Sequence, residues 1–205
     1  MDTLVMYPPA ISILAILIAY LVGAISSSII IARLFKLPDP RTLGSGNPGA
    51  TNMLRTGSKK AAALTLLGDL LKGLIPLLIA RSLGFSLETL CIMAMVSVIG
   101  HMYPLYYQFR GGKGVATTLG VLLGVHWLLA VICMAVWLTI AAITRYSSLA
   151  ALTATALLPI VAYVLRTPVV IIYLCCGITT LVFWRHRSNI KNLLSGKESK
   201  LGAED

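Results

Sequence analysis

Residues 115–143 read VATTLGVLLGVHWLLAVICMAVWLTIAAI, an apolar run without a single charged residue. The run is either one long helix or two short ones hinged near Gly124-Val125-His126-Trp127, and the charges on either side of it decide. Upstream, the segment from Arg33 to Lys60 carries Arg33, Lys36, Arg41, Arg55, Lys59 and Lys60. Downstream, the tail carries Arg185, Arg187, Lys191, Lys197 and Lys200. Positive residues favour the cytoplasmic side of a membrane. Both clusters can share that side only if an even number of spans separates them, which requires two helices in 115–143. Arg110, Lys113 and Arg145 then fall on the same side, leaving Lys72, Arg81 and Arg166 elsewhere.

Other apolar stretches fall at 10–32, 61–82, 86–107, 149–165 and 168–184, most of them long enough to cross ~30 Å of hydrocarbon at ~1.5 Å per residue. The expected fold is all-α: a polytopic membrane protein of about seven transmembrane helices, with the N-terminus outside and the C-terminus cytoplasmic. The fourth span is short and must tilt little or sit within the bundle. Composition agrees: 58% of the 205 residues are hydrophobic, 12% are charged, and mean hydropathy is +0.88. A soluble domain of this size needs far more polar surface. The start lacks a basic n-region and the run Ala10–Ile31 exceeds a signal-peptide core, so it is read as a retained first helix. Residues 1–205 are expected to form a single domain, with 196–205 a flexible tail.

The net charge of +10 would suggest nucleic acid in a soluble protein. Here the basic residues sit between apolar runs, without interleaved aromatics. Membrane lipids and anionic substrates are the expected partners, and nucleic acid is not. Cys91, Cys133, Cys175 and Cys176 lie in apolar runs without metal-ligand spacing, so they are read as small hydrophobes and no metal is expected.

In the seven-span topology the second, fourth and sixth spans all begin on the cytoplasmic side. Their free N–H groups and positive dipole ends point at one surface, which suits anions. The connectors there carry the candidate chemistry. The first contains Gly44-Ser45-Gly46-Asn47-Pro48-Gly49-Ala50-Thr51-Asn52 and then Arg55. It matches G-x-G-x-x-G literally, but no βαβ unit surrounds it, so a dinucleotide site is rejected. The loop is too long for an ordinary connector. Its glycines and small polar side chains can wrap backbone N–H groups round an anion, with Arg55 as a clamp.

The second connector, Arg110-Gly111-Gly112-Lys113-Gly114, opens the fourth span. It is not a Walker A loop, yet glycines permit close backbone approach and Lys113 adds a point charge. In the third, Arg145-Tyr146-Ser147-Ser148, a serine either caps a helix or contacts a ligand. The fourth, Arg185-His186-Arg187-Ser188-Asn189, ends the last span with cations suited to a helix C-terminus. His186 is the only histidine expected in a cytoplasmic connector, able to orient a hydroxyl or donate to phosphate. Asp69 and Lys72, three residues apart within the second span, should face inward and pair. Carboxylates are scarce on the cytoplasmic side, no H-x-x-x-x-D follows any histidine, and no Ser–His–Asp set is evident.

These motifs resemble the bacterial acyl-phosphate:glycerol-3-phosphate acyltransferases. The resemblance runs through Pro38-Asp39-Pro40-Arg41 to Asn52, Gly100-His101 to Thr117, and Arg185-His186 to Asn189-Ile190, in order over nearly the whole chain. It implies transfer of a fatty acyl group from acyl phosphate to the sn-1 hydroxyl of glycerol 3-phosphate, giving lysophosphatidic acid without a cofactor. A soluble acyl-carrier-protein:phosphate acyltransferase would make the donor, and the enzyme would sit in the bacterial cytoplasmic (inner) membrane. The resemblance carries Ser45, Arg55, Lys113 and His186 over as catalytic residues. As phosphate- or substrate-binding residues it implies Gly46, Asn47, Gly49, Thr51, Gly111, Gly112, Gly114, Ser148 and Asn189. The rival reading is an anion or lipid transporter, with Asp69–Lys72 as its gate and the connectors as a vestibule.

Overall fold

The computed structural model describes residues 7–55 and 58–202, and among these every regular element is helical. Residues 1–6, where the reading of the chain start falls, and 203–205 of the expected tail lie outside the described residues. The order is α1 Pro9–Gly23, α2 Ser27–Leu34, α3 Ala50–Arg55, α4 Lys59–Ser82, α5 Leu87–Met102, α6 Val115–Val125, α7 Trp127–Thr144, α8 Ser147–Val164, α9 Val169–Arg185 and α10 Arg187–Leu194. A 3-10 turn, Leu105–Tyr107, follows α5.

Four of these helices, with the turn added to α5, are individually long and apolar enough to cross a membrane, and the bent pairs α1–α2 and α9–α10 raise the number to six. The shorter apolar α6 is the fourth span read from sequence. Its separation from α7 is where charge parity requires it. His126 is extended, and its side chain accepts a hydrogen bond from the Leu129 N–H, capping α7 where α6 has just ended.

The first span departs from its expected continuity over 10–32. It bends by 43° between α1 and α2, at Ala24-Ile25-Ser26. Two further helices also go beyond the sequence reading, α3 inside the first connector and α10 beyond the last span.

Side-chain contacts fix the directions of the helices. Thr117 Oγ1 donates to the Asp69 carbonyl at 3.0 Å, and about two turns further along both helices Gly124 lies against Leu77. α4 and α6 therefore run the same way. Tyr7 stacks on Phe85 just before α5 begins, while Gly100 near the end of α5 lies against Tyr20 and Ala24, so α1 and α5 are also parallel. Between α1 and α4 the order reverses: Tyr7 Oη donates to the Leu83 carbonyl, while Lys72 Nζ donates to that of Ile25. α9 follows α5, Gly177 meeting Met95 and Arg185 meeting Tyr103.

Glycines permit the close approaches. A Cβ on Gly120 would collide with the Leu70 carbonyl, and one on Gly23 with that of Ser97. The buried core holds Leu77, Val98, Met102, Leu122, Leu129, Leu158 and Ile178 at no more than 2% exposure. Leu14, Ile79, Leu138, Ile160 and Val164 are exposed, as helices facing lipid require. With these directions, the ends of α2, α5, α7 and α9 and the starts of α4, α6 and α8 gather at one end of the bundle.

Candidate active site

The first connector is built around Asn52, on α3 and only 2% exposed. Its Oδ1 accepts from the Ser45 N–H at 3.0 Å and from Ser45 Oγ at 3.2 Å. Its Nδ2 donates to the Pro40 carbonyl at 2.7 Å and the Leu43 carbonyl at 3.0 Å. One buried amide thus closes the loop on itself and fixes Ser45. Gly44 and Gly46 hold positive φ of 50° and 66°, which a side chain would strain. Asp39 and Arg41 pair through two guanidinium nitrogens, so Arg41 is spent inside the loop. The Arg41 guanidinium accordingly holds the Asp39 carboxyl below its ordinary range.

The second connector rests on the end of α5. Gly112 N–H donates to the His101 carbonyl at 3.1 Å, and a Cβ on Gly112 would strike the His101 ring. Gly111 has equally little room, against the His101 carbonyl and Pro104. Gly114, at φ +84°, is the N-cap of α6, so Lys113 immediately precedes that helix start. From α9, Arg185 donates through Nε to the Gly112 carbonyl at 3.1 Å and through Nη2 to the Gly111 carbonyl at 2.6 Å, and stacks on Tyr103. Arg185 thus takes up both glycine carbonyls of the connector.

The third and fourth connectors meet at a carboxylate from the tail. Glu198 Oε1 accepts from Ser148 Oγ at 2.5 Å and from Asn189 Nδ2 at 2.7 Å. Asn189 Oδ1 is buried without a hydrogen-bond partner. Tyr146, not a serine, holds the N-cap position of α8, and its side chain makes no capping bond. The serines bond outward instead: Ser147 Oγ lies 3.2 Å from Thr51 Oγ1 of the first connector, and Ser148 reaches Glu198. The Arg145 guanidinium donates to the Leu201 carbonyl at 2.8 Å, holding the tail over this corner.

His186 sits at the 63° turn between α9 and α10, only 3% exposed. Its Nδ1 lies 2.8 Å from the Val182 carbonyl, which makes Nδ1 the protonated nitrogen and leaves Nε2 as an acceptor. Burial, with Lys113 nearby, pushes its pKa down to about 4, so the ring is neutral at pH 7. Burial also lowers Lys113, to about 8, with Glu198 opposing and Arg185 and Arg55 adding to the fall. Arg55, His186 and Glu198 thus all lie within electrostatic reach of Lys113.

Of the residues singled out in the sequence, Arg55, Lys113, Ser148, His186 and Asn189 converge, with Gly111, Gly112 and Gly114 as the frame of Lys113. Thr51 joins them through Ser147. Ser45, Gly46, Asn47 and Gly49 line the first connector, and the hydrogen bonds of Ser45 stay within it. Sequence reading missed Asn52, Arg185 and Glu198 as parts of the site. Asn52 stood inside the quoted motif, and the scarcity of carboxylates on this side was a signal for Glu198.

Comparison with known proteins bears on this geometry. Residues 13–196 match the family model described as glycerol-3-phosphate acyltransferase. A glycerol-3-phosphate acyltransferase of Thioalkalivibrio sulfidiphilus is 52% identical over 186 residues, covering 90% of this chain and 91% of that protein. One from Neisseria meningitidis serogroup A is 48% identical over 192 residues, covering 92% and 96%. The crystal structure of PlsY (YgiH), an integral membrane glycerol 3-phosphate acyltransferase, in its glycerol 3-phosphate form superposes with a TM-score of 0.88. It is 42% identical and covers 93% of this chain and 96% of that one. Its lysophosphatidic acid form gives 0.86 at 41% identity, covering 93% of this chain and 95% of that one. The chain belongs to the glycerol-3-phosphate acyltransferase family.

Proposed function

We propose that this chain transfers an acyl group from acyl phosphate to the sn-1 hydroxyl of glycerol 3-phosphate, forming lysophosphatidic acid. The convergence of Lys113 and His186, from different spans, with Arg55 and Ser148 at one end of the bundle carries this reading. Two anionic substrates need more than one cationic contact, and Arg55, Lys113 and the start of α6 supply them. The family's name and the two ligand forms of PlsY support the acceptor and the product.

Acyl phosphate is a mixed anhydride with a good leaving group, so positioning supplies much of the catalysis. The acceptor oxygen forms a bond to the acyl carbon, the acyl–phosphate C–O bond breaks, and phosphate departs with the electron pair. Lys113 and Arg55 offset the charge that develops on it. His186, with a pKa near 4, is a weak base, but its Nε2 can accept a hydrogen bond from the attacking hydroxyl and orient it. The proton then passes to a substrate phosphate, whose second pKa of about 6 makes it the stronger acceptor. Ser45, Ser148 and Asn189 complete the contacts to phosphate and glycerol oxygens, and the glycines with Asn47 and Thr51 shape the loops.

The topology that suits this chemistry has seven spans, the N-terminus outside and the site facing the cytoplasm of a bacterial inner membrane. Arg33, Lys36, Lys59, Lys60, Arg110, Arg187 and Lys191 crowd the site end, which supports that orientation. A soluble acyl-carrier-protein:phosphate acyltransferase on that side would supply the donor. The test is purified protein in detergent with glycerol 3-phosphate and, in parallel, acyl phosphate, acyl-carrier-protein thioester or acyl-CoA. Lysophosphatidic acid from acyl phosphate is expected; turnover of the thioesters alone would overturn the donor assignment.

A further inference from the structure

Three ionisable side chains lie inside the helices, below the connectors. Asp69 and Lys72 of α4 and His101 of α5 are 3%, 7% and 7% exposed. Lys72 Nζ is 2.8 Å from Asp69 Oδ1, and His101 Nδ1 is 3.6 Å from the same oxygen. Ionisable groups at such depth face inward and are kept for what they hold or do.

We propose that Asp69, Lys72 and His101 are positioning residues that set the first and second connectors in register with each other. This rests on the acyl-transfer reading above. Lys72 Nζ donates to the Ile25 carbonyl at 2.6 Å. Ile25 lies in the break between α1 and α2, where a backbone carbonyl loses its helical donor. One turn earlier on α4, Gly68 lies so close to Ser27 that a Cβ would meet its Oγ at 2.8 Å. Lys72 therefore fixes the bend, the bend aims α2, and α2 delivers the connector that carries Ser45 and Arg55.

The other side of the group supports Lys113. Thr117 Oγ1, in the first turn of α6, donates to the Asp69 carbonyl at 3.0 Å, and Gly73 packs against the Thr117 carbonyl. His101 faces Asp69 with Nδ1, abuts Gly112 with the far edge of its ring, and accepts from the Gly112 N–H through its carbonyl. A single buried group thus touches the α1–α2 break, α4, the end of α5 and the start of α6. The two anion-binding connectors leave from these elements. Misplacing one connector against the other by about 1 Å is enough to slow transfer on the order of 100-fold.

The test compares wild type with Asp69→Asn/Lys72→Met, Lys72→Met, Lys72→Arg and His101→Gln, purified in detergent. Readouts are kcat, the two KM values and the thermal midpoint. Each connector still binds its own anion in the variants, so kcat per folded molecule should fall at least tenfold in Asp69→Asn/Lys72→Met. KM for glycerol 3-phosphate should stay within about threefold. Lys72→Arg, which keeps a cation and a donor for Ile25, should recover most of the kcat lost in Lys72→Met. Wild-type kcat per folded molecule in the double variant, or a loss in KM alone, would overturn the proposal. If the double variant does not fold, His101→Gln and Lys72→Arg decide. His101→Gln must lower kcat without raising KM, and Lys72→Arg must exceed it. Wild-type protein that makes no lysophosphatidic acid in the same assay would instead overturn the acyl-transfer reading.

Discussion

Arg185 donates from Nε to the carbonyl of Gly112 at 3.1 Å, joining the end of α9 to the turn that precedes α6. With its second bond to Gly111 and its stacking on Tyr103, this guanidinium uses shape as well as charge. Lysine keeps the charge but loses the fork. Hydrogen bonds to charged groups contribute about 1.5–3 kcal/mol each. Arg185→Lys is therefore expected to lower kcat/KM about 10- to 100-fold, measured by steady-state release of phosphate. Unchanged kcat/KM would show that Lys113 is held without it.

Gly112→Ala places a methyl group against the His101 ring, and the second connector must move. Overpacking of this kind costs about 1–3 kcal/mol, and activity should fall further, by ~100-fold or more, because Lys113 moves with the loop. Gly120→Ala makes a contrasting control. Its Cβ strikes the Leu70 carbonyl between α4 and α6, so the thermal midpoint in detergent should fall along with activity.

In the proposed reaction, phosphate binding needs the protonated form of Lys113, and burial has brought its pKa down to about 8. Below that pH the cation is present, and it is lost as pH rises through it. His186 must be neutral to accept a hydrogen bond, a condition met above its pKa of about 4 and lost below it. A plot of kcat/KM against pH should therefore fall on its alkaline side near pH 8, and Lys113→Arg should flatten that limb in whatever activity it retains. An alkaline limb unchanged in Lys113→Arg would assign the titration to another group.

Glu198 raises the pKa of Lys113, opposing the effect of burial. Glu198→Gln keeps an acceptor for Ser148 and Asn189 but removes the charge. The alkaline limb should then move to lower pH, with kcat at pH 6 changed less than tenfold. A limb that moves upward would contradict the sign of this coupling.

Asn52→Asp replaces the amide donor with an oxygen facing the carbonyls of Pro40 and Leu43. Leaving such groups unsatisfied costs about 1–3 kcal/mol. Activity should drop at least tenfold as Ser45 loses its frame, whereas Asn47→Ala should cost less. Limited proteolysis within residues 38–55 would report the loosened loop.

Much of this architecture was legible because charge placement and span parity are global constraints. The α6–α7 break followed from where the arginines and lysines had to lie, and the pairing of Asp69 with Lys72 from the cost of an unpaired charge in a span. The α1–α2 bend was not legible: Gly23 and Ser26-Ser27-Ser28 lie in a run apolar enough to read as one helix, and the Lys72 that secures the bend is far away in sequence. Asn52, Arg185 and Glu198 escaped for a related reason. Each acts by bonding to backbone or to side chains brought near by folding, so residue type alone gave an adequate local explanation. Arg185 looked like a helix-end cation, and Glu198 like part of a solvated tail.

The distribution of the cradle over connectors from several spans bears on biogenesis. On the proposed site no single hairpin carries Arg55, Lys113, Ser148 and His186 together, so a molecule with some spans still outside the bilayer would have charged loops but no centre for transfer. Turnover is then a report on completed insertion, and mutations in lipid-facing helices far from any substrate should register as lost specific activity before they register as lost protein.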